Sequence, residues 1–530
     1  MSSWSVWRGH PIWRIAQPQF DPQAFVSLWA TWRADAARPA QLHVLAHWYV
    51  PAHFDLPAHL DVLTQALTAP QGATSQPRQA TPIEQQHLAQ QLAAQCWGLL
   101  PGIHRLRFEQ GQVCLTLCVG DAPEFAALLH AHPTGPCTPP QALPAEPQRH
   151  VTVIGSGIAG AGTARALATR GWQVTVLDAG TAPAAGASGL PVGVIAPHTS
   201  LDDSIISRLS RAGIRAMRET MHDLLQEGID WSPSGVQEHR LPGKTRQGGV
   251  PPSWLQEDAN AARAWTCDAT AQNPSLPPNT LWHASGAWLK PGRLVQALLA
   301  HPNIRWQGHA RVDALRHVDH SGEWQVLQGS TVLAQSSRVV IACGPGSAAL
   351  VASATRDGSA PPIRPLRGQV SWGLHADTPQ APLPTTPVNG HGSFVHHVPT
   401  DEGPAWFAGA TYDRLNDQPE VLATDHAENL TRLAALLPDT AQALAPAFAS
   451  SVRGWAGVRC SVSDRFPMLG PVAQAPEGLW LNTAMGSRGL TLGLLCGEIL
   501  AAQWHGEPLP VEARLAKALD ATRFAAKLSP

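Results

Sequence analysis

Between residues 151 and 178 the hydrophobic pattern changes period twice. "VTVI" (151–154) is a β-branched run of the kind buried in a parallel sheet. "AGTARALATR" (161–170) is a small-residue segment with helical character, and Gly171 stops it. "QVTVLD" (173–178) then reads as a second strand ending on Asp178. The same grammar returns later. "SRVVIACGPGS" (337–347) is an apolar strand ending in Gly344-Pro345-Gly346. "GLWLNTAMGSRGLTLGLLCGEILAAQ" (478–503) is a strand, a Gly-Ser-Arg-Gly turn and an amphipathic helix. "QVSWGL" (369–374) and "PAWFAGATYDR" (404–414) predict antiparallel strands between them. Upstream, "LHVLAHW", "LPGIHRLRF" and "VCLTLCVG" are strand-like and apolar. The chain is therefore expected to be α/β, without heptads or a 20- to 50-residue repeat.

The first of these units carries a chemical signature. Gly155, Gly157 and Gly160 form a complete G-x-G-x-x-G that also spans Ser156, Ile158 and Ala159. Gly155 permits a tight turn, Gly157 lets the backbone approach a pyrophosphate, and Gly160 allows close helix–strand packing. The helix start offers free N–H groups to phosphates. Asp178 lies 18 residues past Gly160, where a carboxylate accepts a ribose hydroxyl. The motif calls for a dinucleotide and does not by itself separate FAD from NAD. The helix after Gly486–Gly489 is expected to aim its N-terminus at the same cofactor, where a positive helix end stabilises anionic reduced flavin.

Composition narrows the classes. With 530 residues, 44% hydrophobic and 14% charged, the chain is a globular protein with room for two or three domains. A formal net charge of −2 gives no global basic field, so a nucleic-acid partner would need a local patch. No stretch approaches the length of an apolar membrane span, and "MSSWSVWRGHPIWRIAQ" lacks the form of a signal peptide. Eight cysteines without a C-x-x-C pair read as reduced thiols in a cytoplasmic protein. The 24 histidines show no metal-ligand spacing, so no metal is expected. Of the 20 tryptophans, Trp324, Trp406 and Trp480 are expected to pack in cores.

Proline marks the joints. Six prolines in "PTGPCTPPQALPAEP" (133–147) read as a stiff linker. It separates residues 1–132 from an oxidoreductase part at 149–530, with the linker itself at 133–148. A second break, "RDGSAPP" (356–362), lies inside the latter part. The nucleotide-binding portions are expected at about 149–230, 285–355 and 455–515, and substrate-binding portions at about 231–284 and 356–454.

Several motifs together carry a resemblance. "GASGLPVGVIAPH" (186–198), "RGQVS" (367–371), "GATYDR" (409–414) and "GVRCSVSDRFPMLGPV" (457–472) resemble the D-amino-acid oxidase, glycine oxidase and sarcosine oxidase group. More narrowly, "GVRCSVSDRFPMLG" with "MGSRGLTLGLLCGEILAAQ" resembles the C-terminal oxidoreductase half of the MnmC family of tRNA wobble-uridine enzymes. The resemblance covers residues 149 to about 525. It implies a Rossmann-like FAD domain with an inserted antiparallel-sheet substrate domain, as in D-amino-acid oxidase and glutathione reductase. It implies non-covalent FAD, although some relatives bind FAD through cysteine and Cys460 stands nearby. The implied reaction is oxidative removal of the carboxymethyl group from 5-carboxymethylaminomethyl-(2-thio)uridine in tRNA.

FAD contacts are then expected from Ala187, Ser188, Gly189, Gly193, Gly344, Gly457, Gly486, Ser487, Arg488, Gly489 and Leu490, besides the first glycine turn and Asp178. Arg459 is the candidate catalytic residue, a planar fork for the substrate carboxylate. The competing role for Arg459 is a structural pair with Asp464. Arg488 suits either flavin or substrate, and His396 and His397 fall in the inserted part. An alternative substrate class stays open at this stage: a small secondary amine or amino acid. The electron acceptor and the oligomeric state are left open too.

The preceding segment resembles the middle of the same family's methyltransferase half, through "SLWATWRADAARPAQLHVLAHWYVPAHFDLPAHL" and "WGLLPGIHRLRFEQGQVCLTLCVGDAPEF". The departures are chemical. Where the family has a glycine-rich S-adenosylmethionine loop, this chain has "PIWRIAQPQFDPQAFV". The acid expected at the end of "LHVLAHW" falls on Trp48, and "HPTGPCTPP" replaces the catalytic strand. Gly120-Asp121, where the family places an adenine contact, is retained. A partial Rossmann-like methyltransferase remnant that does not bind S-adenosylmethionine is expected.

Overall fold

A computed structural model describes residues 7–49, 82–137, 149–240, 249–256, 259–271, 273–414 and 416–527. The later parts of the proline-rich linker (138–148) and of the "SLWATW" motif (50–60) lie outside the described residues. The chain divides into two compact units. The first comprises 1–143, 256–264 and 502–513; the second comprises 144–255, 265–501 and 514–530.

The first unit is built on strands β1 (Ile12–Gln17), β2 (Gln41–Trp48), β3 (Gly102–Phe108), β4 (Val113–Val119) and β5 (Gly135–Pro136). Its helices are α1 (Pro22–Ala34), α2 (Pro82–Gln95) and α3 (Ala122–Ala131). The sheet order is β3-β4-β2-β1-β5. β1, β2 and β4 run parallel, which makes a Rossmann-like core, whereas β3 is antiparallel to β4. Period-two alternation sorts the side chains. Leu42, Val44, Leu115 and Leu117 face α1 and α2 through Phe25, Trp29, Trp32, Leu88 and Leu92. The other row, Leu45, Ile103 and Cys118, meets Phe125 and Leu128 of α3. Buried Arg105 pairs with Glu507 at 3.3 Å, and both are nearly inaccessible to solvent. The outer edge of β1 is closed by Gly135–Pro136, which pairs antiparallel through Trp13↔Pro136 and Arg14↔Gly135.

The second unit holds a six-stranded sheet of β6 (His150–Ile154), β7 (Gln173–Leu177), β8 (Ile304–Gln307), β9 (Arg338–Ile341), β10 (Met468–Pro471) and β11 (Leu479–Thr483). The order is β8-β7-β6-β9-β11-β10, parallel except for the last pair. Helices α4 (Ile158–Ala168) and α5 (Gly489–His505) follow β6 and β11. A strand run such as Val339–Ile341 is wholly buried, as a sheet covered on both faces requires.

The second large sheet has eight strands, among them Arg364–Leu374, Gly392–Val398, Ala405–Gly409 and Arg453–Ser461. It is antiparallel except where Gln237↔Val388 pair in parallel. Residues 455–461, grouped above with the nucleotide-binding portion, pair in this sheet with Arg364–Val370. Trp324 and Trp406 are buried, in separate cores of this unit.

Candidate active site

The cavity grows from the glycine turn after β6. Gly155 has a φ of +102°, and a Cβ there would lie 2.7 Å from the Ala342 carbonyl oxygen. Only glycine fits both conditions. A Cβ on Gly160 would sit 1.8 Å from the Gly155 carbonyl oxygen, so the helix can cross the turn this closely only without a side chain. Gly157 caps α4 and brings no side-chain oxygen of its own, and among the first N–H groups that of Ile158 is met by Ser188 Oγ.

α4 and α5 then lock together backbone to backbone. A Cβ on Gly497 would stand 2.8 Å from Gly162, and one on Gly162 would stand 3.1 Å from the Gly493 carbonyl oxygen. Asn482 ties β11 to α4 by donating to Thr163 Oγ1 at 2.8 Å and to the Ala159 carbonyl at 3.3 Å. Both helix starts thus face one cavity. Neither first turn carries an acidic residue. The cavity has a volume of about 680 Å³, within the range of cofactor sites.

Fourteen of the residues expected from sequence line this cavity: Gly155, Gly157, Ile158, Ala159, Asp178, Ala187, Ser188, Gly193, Gly344, Arg459, Gly486, Ser487, Gly489 and Leu490. Five lie outside its lining and are placed as follows. Ser156 donates both its N–H (2.6 Å) and its hydroxyl (2.7 Å) to Asp178 Oδ2. Gly160 and Gly189 serve close approaches, the latter with a Cβ position 2.8 Å from the Ala184 carbonyl oxygen. At Gly457 a Cβ would strike the Trp455 ring at 2.4 Å. Arg488 donates to the Arg465 carbonyl at 3.4 Å.

Asp178 has a second duty. Its Oδ1 accepts from the Gly180 N–H at 2.7 Å, so the carboxylate braces the turn as well as lining the cavity. Ser188 reaches across to accept the Ile158 N–H at 2.9 Å. Sequence reasoning missed Gly180, Arg311, Val312, Cys343 and Met485, which also line the cavity. Arg311 and Val312 follow a stretch where Ala310 donates to the Asp178 carbonyl at 2.8 Å. That pairing across distant sequence left no local motif.

Arg459 is free of Asp464, which Arg523 holds at 2.8 and 3.1 Å. Instead Arg459 donates to the carbonyls of Thr411 (3.1 Å) and Arg367 (3.5 Å) and lies over the Tyr412 ring at 4.6 Å. No carboxylate pairs with it among the described residues. The guanidinium is therefore available to an anionic ligand in the cavity it lines. Arg367 and Gln369, of the "RGQVS" motif, are buried outside the lining and anchor the helix that begins at Ala423. Arg367 holds Asp425 at 2.5 Å, and Gln369 donates to the Leu422 carbonyl at 2.9 Å. His396 and His397 cluster with His375 away from the cavity.

Two thiols border the cavity, and burial disarms both. Burial pushes the Cys343 thiol up to about 11 and raises that of Cys460. A protonated thiol is a poor nucleophile, which favours a cofactor held without a covalent bond.

Fold and site define a dinucleotide-binding class of protein, with two helix starts on one cavity. The family profile described as "FAD dependent oxidoreductase" matches residues 150–503. The tRNA 5-methylaminomethyl-2-thiouridine biosynthesis bifunctional protein MnmC of Polaromonas naphthalenivorans (strain CJ2) is 41% identical over 612 residues, covering 99% of this chain and 92% of the relative. The protein of the same name from Verminephrobacter eiseniae (strain EF01-2) is 40% identical, covering 98% and 97%. The chain belongs to the FAD-dependent oxidoreductase family and, within it, to the MnmC proteins. In fold it is similar to glycine oxidase from Geobacillus kaustophilus, with a TM-score of 0.54, 20% identity, and coverage of 71% of this chain and 99% of that one. L-proline dehydrogenase from P. horikoshii gives 0.55 at 16% identity, covering 72% and 98%.

The residues present fit FAD. The turn at Gly155 and Gly157, the two helix starts that line the cavity and the Asp178 carboxylate would hold a flavin dinucleotide. The protein is thus an FAD-dependent oxidoreductase.

Proposed function

We propose that this protein removes the carboxymethyl group from 5-carboxymethylaminomethyl-(2-thio)uridine at the tRNA wobble position, leaving the aminomethyl uridine. The observation that carries the reading is Arg459, a guanidinium on the wall of the cofactor cavity with no carboxylate partner among the described residues. The carboxymethyl arm ends in a carboxylate, and a planar fork binds it in two-point fashion. Bound FAD supplies the two-electron acceptor. The chain's own work is to orient the arm so that its methylene carbon can give up hydride while the amine gives up a proton. Water then hydrolyses the resulting substrate imine to glyoxylate and the primary amine. FAD contacts are assigned to the glycine turn, Asp178, Ser188 and the Gly486–Leu490 segment. Arg488 and Gly457 support the site from outside the lining.

Methyl transfer is lost in this reading, and S-adenosylmethionine does not bind. Three observations support it. Asp21 accepts from the Gln23 and Ala24 N–H groups and so closes the helix start that follows β1. The edge of β1 pairs with Gly135–Pro136 rather than with a further parallel strand. The alignment with the Polaromonas relative runs over 612 residues against 530 in this chain, so at least 82 aligned positions have no counterpart here. A tRNA substrate also implies the cytoplasm, and among the described residues no helix is long and apolar enough to cross a membrane.

Mass spectrometry of wobble nucleosides tests the reading. Deleting the gene should make carboxymethylaminomethyl uridine accumulate in tRNA. Unchanged nucleosides, together with turnover of free sarcosine or glycine by the pure protein, would point to a small amine instead.

A further inference from the structure

Tyr412 stands at the centre of an arginine cluster that oxidation of a small amino acid does not need. It is 49% exposed, three residues beyond a buried strand. The guanidinium of Arg459 lies 4.6 Å from its ring centroid and that of Arg432 lies 5.8 Å away. Arg488 donates to the carbonyl of the exposed Arg465 at 3.4 Å. Arg459, Arg465 and Arg488 have no carboxylate partner among the described residues.

Three acids of this region are engaged with other arginines. Arg523 holds Asp464 at 2.8 Å, Arg367 holds Asp425 at 2.5 Å, and Glu428 takes Arg432 at 2.5 Å. Burial and the Arg465 charge hold the Arg488 guanidinium below its usual range, as for a cation without a counter-ion, while Tyr412 works the other way. A substrate arm with one carboxylate occupies one guanidinium. Two further guanidiniums without a carboxylate partner among the described residues and a half-exposed tyrosine remain.

We propose that Tyr412, Arg465 and Arg488 form a stacking and phosphate site for the single-stranded RNA flanking the reacting nucleotide. An RNA strand brings one phosphate per nucleotide and a π-face per base. Single-strand binders match these with cationic side chains and aromatic platforms. Arg459 keeps the arm's carboxylate, and Arg432 and Arg459 brace the Tyr412 ring from their positions over it. The patch is local, which reconciles an RNA substrate with a chain of net charge −2. The proposal rests on the tRNA reading above.

The test uses the flavin-loaded protein, a fluorescently tagged anticodon stem-loop RNA, and the free carboxymethylaminomethyl nucleoside as a minimal substrate. Arg465→Ala and Tyr412→Ala should each weaken stem-loop binding about ten-fold, and Tyr412→Phe should restore it because stacking needs only the ring. Arg465→Ala should also flatten the salt dependence of log affinity by about 0.7 of a unit, the share of one phosphate contact on a single strand. Loss of kcat/KM on the stem-loop should exceed loss on the nucleoside about ten-fold. Equal losses on both substrates, or no loss on either, overturn the site. If wild type and variants all convert the stem-loop alike, the site falls and the tRNA reading stands. If wild type neither binds nor converts it, both fall.

Discussion

At the end of β1 the chain closes helix α1 with the Asp21 carboxylate, which accepts from the Gln23 and Ala24 N–H groups at 2.9 and 3.1 Å. At the end of β6 it opens helix α4 on Gly157, which supplies no capping oxygen. Both are strand-to-helix turns in a parallel sheet. Each helix start presents unsatisfied N–H groups and the positive end of a helix dipole. In the first unit a side chain of the chain itself satisfies that end. In the second the Ser188 hydroxyl takes the Ile158 N–H from 30 residues away, and the backbone is thinned by glycine so that a ligand can reach the rest of the turn. A nucleotide site is thus two choices made together, and the first unit makes neither.

The largest effect should come from refilling the second turn. Gly160→Ala would place a methyl group 1.8 Å from the Gly155 carbonyl oxygen, so the turn cannot keep its shape. The purified variant should lose its flavin absorbance while the wild type stays yellow. A variant that kept a full complement of FAD would show that the close approach is dispensable.

Next comes Arg459→Lys, which keeps charge but loses the fork. It should retain FAD and lose about 1.5–3 kcal/mol of transition-state binding, roughly ten- to a hundred-fold in kcat/KM. Wild-type kinetics would remove Arg459 from the carboxylate role.

A smaller effect is set by pH and touches both units. Burial, then the Arg14 charge, lowers His132 in the first unit to about 4, while burial and the neighbouring His397 and His375 lower His396 in the second to about 4. A depressed histidine favours the neutral form in the folded state. The unfolded chain takes up protons first as pH falls below about 6.5, so folding stability is full above that value. It should then decline down to about pH 4. Denaturant titrations across this range should show the decline. His396→Gln should flatten the part belonging to the second unit, and an unaltered slope would deny the histidine its share.

The smallest effect belongs to the first turn. Asp21→Ala should destabilise the first unit by about 1 kcal/mol through loss of the cap. It should not create S-adenosylmethionine binding, because the turn still lacks glycine. Calorimetric binding by this variant, absent in wild type, would mean that Asp21 alone blocks an intact site.

The second unit's turns were legible because their constraint is local. The glycine spacing, the β-branched runs and Asp178 lie within 30 residues, and β6, α4 and β7 form where the periodicity predicts them. Helix α5 was equally readable from Gly489 onward. Other features had no local signal. Arg311 reaches the cavity through a strand-end pairing across more than a hundred residues, and residues 502–513 cluster with the first unit from the far end of the chain. Ser156, Gly189 and Gly457 sit in the right motifs but answer to neighbours rather than to the cavity. Sequence places a residue in a loop, while only the packing decides which side of the loop faces the ligand.

One measurement addresses the contrast between the two turns directly. The pure flavin-loaded protein is given tRNA bearing carboxymethylaminomethyl uridine together with S-adenosylmethionine, and the wobble nucleoside is weighed by mass spectrometry. Conversion to aminomethyl uridine, with glyoxylate released and no methyl group added, is the predicted result. Methylaminomethyl uridine made by this chain alone, or an unaltered nucleoside, would contradict the account.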